Sequence, residues 1–195
     1  MLAFFLYLVV AQLIAPFSVY TVEMAKISKN ELGFLYLLNG MMIAVLQVPV
    51  TRLLAGFKLT TQMALGAFLY AAGYGMVGLH AGLFNFALAI ALVTIGEIFI
   101  SPPSLALISG MAPHGRMGQY MGIFGFFLTS SWSLGPLYGG FILDHLAANP
   151  AVAWMVISSL AALSGMGYLL FTRILPESLN RKGKRDEAAG GSARN

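Results

Sequence analysis

Long apolar runs separated by short polar breaks dominate the chain. Six mostly apolar stretches stand out, at roughly 1–22, 32–54, 62–80, 83–107, 119–143 and 152–174. Each has about the 20 residues that a helix needs to cross a hydrocarbon core of about 30 Å. The runs are continuous, as from Ala87 to Val93, and do not alternate in the ten-residue units of a barrel strand. Lipid cannot satisfy free backbone donors, so these stretches are expected to be helices. The breaks are short and polar, at 26–31, 55–61, 80–82, 111–118 and 144–150. From Pro176 onward the pattern ends. No large apolar residue follows Leu179, and a Gly190-Gly191-Ser192 run lies near the terminus. The expected fold is an all-α polytopic membrane protein with six transmembrane helices over 1–175. A disordered basic tail is expected at 176–195.

Composition narrows the class. Among 195 residues, 58% are hydrophobic and 9% charged, against about 25% charged in an ordinary soluble domain. Too little polar surface is available to coat a water-soluble globule. The absence of cysteine excludes a disulfide scaffold, a thiolate metal site and a cysteine nucleophile. The net charge of +4 comes from placement. With six spans, one side of the membrane collects nine of the eleven Lys and Arg residues, and the other holds only Lys26 and Lys29. The positive-inside rule then puts both termini in the cytoplasm, and the expected location is a plasma (inner) membrane. Arg181, Lys182, Lys184 and Arg185 in the tail account for the basic balance without nucleic acid. The first span starts without a polar flank or a basic signal region, so the start reads as a cut through a longer membrane protein.

Polar side chains at membrane depth carry the chemistry. Glu97 is the one acid near the middle of a span. Thr94, Glu97, Ser101 and Ser104 fall on one narrow stripe of the fourth helix, which should face a cavity or another helix. Pro102 and Pro103 are expected to kink that helix beside the acid. A desolvated carboxyl can exchange a proton near neutral pH. Glu97 is thus a candidate for proton coupling or cation recognition, with a structural carboxyl as the alternative. On the second helix Tyr36, Asn39, Gly40, Ile43 and Gln47 share a face, and on the first Gln12, Pro16 and Tyr20 recur every four residues. Gln12, Asn39, Gln47, Thr94 and Ser101 are the substrate-cavity candidates; interhelical cross-linking is the other role open to them. The fifth helix carries Gly118, Gly122, Gly125, Thr129, Ser133, Pro136 and Gly140 along one face. With Gly135, that row is expected to be a close-packing, sliding helix interface.

No enzyme signal emerges. His80, His114 and His145 lie in breaks or at span ends without HExxH spacing. Ser130, Ser131 and Ser133 have no histidine at their depth, as a serine protease would require. No cofactor or metal is expected.

The order of four stretches is familiar. Gln47-Val48-Pro49-Val50-Thr51-Arg52, Gly96-Glu97 followed by Pro102, 112–122 with Arg116 and Gly118, and Gly135-Pro136-Leu137-Tyr138-Gly139-Gly140 closed by Asp144 resemble the C-terminal half of a major facilitator superfamily transporter. The nearest resemblance is to bacterial drug:proton antiporters. Arg52 and Arg116 would be its cytoplasmic loop charges. The resemblance implies that the first, second, fourth and fifth spans line a cavity. It also implies a small-molecule substrate exchanged for H+, and a missing N-terminal six-helix half as partner within the bilayer. A uniporter or metabolite carrier with a structural Glu97, and a non-transporting six-helix scaffold, are the competing expectations.

Overall fold

In the computed structural model, residues 2–79, 81–113 and 115–180 are described, and all regular structure among them is helical. We number the helices α1 (Leu2–Met24), α2 (Lys29–Leu53), α3 (Leu59–Val77), α4 (Leu83–Met111), α5 (Met117–His145), α6 (Pro150–Ile174) and α7 (Glu177–Asn180). The first six match the six apolar stretches, with ends shifted by a few residues. Two of the shifted starts follow from capping, because polar first turns are helical when their free N–H groups find acceptors. Ser28 and Glu31 form a reciprocal capping box that starts α2 at Lys29. Asn149 accepts from the Val152 N–H and starts α6 at Pro150. By length and composition, Leu2–Met24, Lys29–Gly56, Leu83–Met111 and Pro150–Ile174 are long and apolar enough to cross a membrane. α3 and α5 fall outside that set.

α4 remains helical from Leu83 to Met111 with Pro102 and Pro103 inside. It is α1 that is interrupted: a 3-10 turn occupies Ala11–Leu13, Pro16 opens the next turn, and a π turn occupies Tyr20–Met24. Pro16 has no N–H and its ring crowds the carbonyl four residues back. Side chains meet two carbonyls of the broken turn. Ser18 donates to the Ile14 carbonyl at 2.6 Å, and the Tyr36 hydroxyl from α2 donates to the Leu13 carbonyl at 2.6 Å.

The core is the layer α4–α3–α6, with α1 laid against α5 and α6. α3 packs closely on α4 through facing glycines. A Cβ on Gly66 would lie 2.7 Å from the Gly96 carbonyl, and a Cβ on Gly96 would lie 2.8 Å from the Gly66 carbonyl. At one end, Trp154 of α6 is fully buried among Phe17, Tyr20 and Tyr74.

Glu177–Asn180, expected to belong to a disordered tail, form a short helix tied to the start of α3. Asn180 is fully buried. Its Oδ1 accepts from the Thr60 N–H and hydroxyl, both at 3.0 Å, and so caps α3 from 120 residues away. Lys58 pairs with Glu177 at 3.2 Å. The tail residues Arg181, Lys182, Lys184 and Arg185, and His80 and His114, lie outside the described residues.

Candidate functional site

The seam between α2 and α4 collects most of the polar groups that the helical periodicity singles out. Every residue of the stripe on α4 lies on its inner side: Thr94 and Ser104 are buried, Glu97 and Ser101 half-buried. From α2, Asn39 reaches across. Its Nδ2 donates to Thr94 Oγ1 at 2.8 Å and lies 3.5 Å from Glu97 Oε2. Thr94 in turn donates to the Ile90 carbonyl at 2.7 Å, so its oxygen is held with its lone pairs toward Asn39. One amide therefore orients both the threonine and the acid.

Glu97 opens onto a cavity of about 150 Å³ lined by Ile43, Gln47, Glu97, Ile98, Ser101 and Pro102. A larger cleft, about 440 Å³, shares Gln47 and Pro102 as walls and extends to Thr51 and Arg52 at the end of α2. Asn39, Gln47, Thr94, Glu97 and Ser101 are thus brought together on one seam. The arrangement presents a carboxyl, an amide donor beside it, and apolar walls.

Gln12 does not join this group. It is fully buried where α1 crosses α5, and its Nε2 donates to the Leu8 carbonyl at 2.7 Å and the Gly135 carbonyl at 2.9 Å. It works there as a cross-link between helices, the other role its spacing allowed. Tyr36 is the residue whose part periodicity could not reveal. It lies on the same face as Asn39 but bonds to the broken turn of α1.

The glycine face of α5 divides. Gly135 meets α1, where an added Cβ would lie 2.5 Å from the Ala11 Cβ and 3.1 Å from the Leu8 carbonyl. Neighbouring Gly139, off the predicted row, contacts Gln12 and Pro16. Gly118, Gly122, Gly125 and Gly140 meet nothing within 4 Å. Most of the expected close-packing row therefore has no helix against it among the described residues. Pro136 lies inside α5, and Arg116 is exposed just before it. Arg52, in the last turn of α2, is exposed too.

Comparison with known proteins adds the following. A family model described as Major Facilitator Superfamily matches residues 1–193. An uncharacterized MFS-type transporter of Bacillus subtilis, YttB, is 26% identical over 71% of this chain and 35% of its own length. A Na(+), Li(+), K(+)/H(+) antiporter of Planococcus maritimus is 24% identical over 75% of this chain and 34% of its own. Multidrug resistance protein MdtH of Aeromonas hydrophila is 25% identical over 76% and 38%. The chain spans about a third of the length of these relatives.

Proposed function

The chain belongs to the Major Facilitator Superfamily, whose members are transporters rather than enzymes, and on that premise we propose that it is the C-terminal six-helix half of a proton-coupled small-molecule efflux permease. All six long helices then span the membrane, α3 and α5 included, with both termini on the cytoplasmic side of the inner membrane. α3 crosses without a strongly apolar surface because its neighbours cover it.

The observation that carries this reading is the Asn39–Thr94–Glu97 group on a cavity between two helices. A carboxyl at that depth is costly unless it is used or fully paired. Glu97 has one long hydrogen bond from Asn39 and an open cavity on its other side. In the proposed cycle, Glu97 takes a proton when the cavity opens to one side. It releases the proton to the other side as substrate competes for the carboxylate. Asn39, Gln47 and Ser101 supply hydrogen bonds to the substrate. The exposed faces of α2 and α5 support a partner half. Only Leu35 of α2 is buried, and the α5 glycines are open.

The test is Glu97→Gln in a full-length permease context. Proton-driven efflux in everted membrane vesicles is expected to fall at least about tenfold, the scale of losing one charge-assisted interaction, with insertion unchanged. Unchanged efflux would remove Glu97 from the mechanism.

A second reading is a uniporter with a structural Glu97. The Asn39 amide bridging Glu97 and Thr94 favours it, because that bridge by itself cross-links α2 to α4. Its signature is a transport rate that does not vary with the pH gradient.

A further inference from the structure

The cleft at the end of α2 holds two groups, Thr51 and Arg52, that the transport reading does not use. Its volume is about 440 Å³, several times what one water fills. Its walls are largely apolar: Ala44 and Val48 of α2 face Pro102, Pro103 and Ala106 of α4, with Gln47 and Gln62 also on the lining. Two groups at its α2 end, Thr51 and Arg52, are polar and have no hydrogen-bond or ion-pair partner among the described residues. Arg52 lines the cleft, and among the described residues no carboxylate lies within ion-pair distance of it; Glu177 is taken by Lys58. The Thr51 Oγ1 beside it is buried and makes no hydrogen bond.

We propose that this cleft binds an anionic phospholipid, with Arg52 and Thr51 holding the headgroup phosphate and the Val48–Pro102–Pro103 walls holding the start of an acyl chain. Three arguments select this occupant. The guanidinium is planar and matches a phosphate through paired N–H donors, and among the described residues no carboxylate complements its charge. A free phosphate would leave the apolar walls uncovered, whereas a lipid covers both ends of the cleft. The depth is also right. The helical segment Lys29–Gly56 has 28 residues, about 42 Å at 1.5 Å per residue, which matches a bilayer including its headgroup layers. Arg52, one turn from its end, therefore sits at headgroup level. Leu53 of α2, just outside the cleft, is apolar and 78% exposed. A chain leaving the cleft thus stays in an apolar environment.

The experiment uses the whole chain purified in neutral detergent, with bound lipid counted by native mass spectrometry and melting followed in parallel. The probes are dioleoyl phosphatidylglycerol, dioleoyl phosphatidylcholine and inorganic phosphate. Phosphatidylglycerol is expected to bind about tenfold more tightly than phosphatidylcholine, and to raise the melting temperature where phosphate alone does not. Arg52→Gln should abolish the preference, about a tenfold loss for one charge-assisted pair, and Thr51→Val should weaken it by a smaller factor. Ala44→Trp, which fills the cleft and leaves Arg52 in place, should also abolish binding. It decides the matter if Arg52→Gln does not fold. Equal binding of the two lipids, undiminished binding by Ala44→Trp, or full stabilisation by inorganic phosphate alone would overturn the proposal. The last of these would assign the site to a soluble phosphate.

Discussion

α3 and α5 are both rich in small residues, and they meet opposite fates. α3 has 11 of its 19 residues buried, and α5 has five of 29. On α3, Gly66 and Gly73 bring α4 within backbone contact, and the N-terminus is capped by Asn180 of α7. On α5, the two contact glycines sit against α1, and four others face open space. A glycine row is permissive: it allows a helix to approach and does not supply one. What distinguishes the two helices is whether this chain contains the partner. α3 is packed by helices of its own chain, whereas α5 and α2 keep open faces among the described residues.

This contrast can be broken by substitution. The largest effect is expected from Gly96→Leu. Its Cβ would meet the Gly66 carbonyl and the Tyr70 ring on one side of a close crossing, and backbone cannot move aside as a side-chain tip can. We expect a loss near the upper end of about 1–3 kcal/mol, read as a lower melting temperature in detergent. A variant as stable as the parent would mean that α3 and α4 are not held by this crossing.

Next is Asn180→Ala, which removes the acceptor of the Thr60 N–H and hydroxyl and the donor to Thr60 Oγ1. The loss of a cap with its buried bonds should cost about 1–2 kcal/mol. Hydrogen exchange at the first turn of α3 should rise with it. Unchanged protection there would show that α7 is not the cap.

The smallest effect is expected from Gly122→Ala with Gly125→Ala. Neither added methyl meets an atom within 4 Å, and alanine is the better helix former by about 1 kcal/mol per residue at most. The chain by itself should be as stable or slightly more so. The same pair of changes in a full-length permease should impair transport, if α5 slides there against a second half. Destabilisation of the isolated chain would show that the face is already packed and would end the contrast with α3.

Much of the candidate site was legible in the chain. Hydrophobic periodicity located the helices, and a 100° wheel put Thr94, Glu97, Ser101 and Ser104 on one inward stripe and Asn39 with Gln47 on another. An isolated acid within an apolar run marks itself, because few environments tolerate it. The wheel could not place Gln12. Its inward direction was right, but what lay opposite was the backbone of Gly135, not the cavity. Tyr36 was likewise on the expected face, with its partner set by the interruption around Pro16 in another helix.

The amino-acid pattern alone determined that the chain is helical, apolar at membrane length, and carries an acid on a polar stripe. These properties depend on composition and on spacing within one helix, where neighbours three and four residues apart are fixed by geometry. Tertiary structure decided which stripe meets which. It joined Asn39 to Thr94 and Glu97, closed Gly66 on Gly96, left the Gly118–Gly125 face open, and set Asn180 at the start of α3. Those choices rest on contacts between residues far apart in the chain, and no local period encodes the partner across the gap.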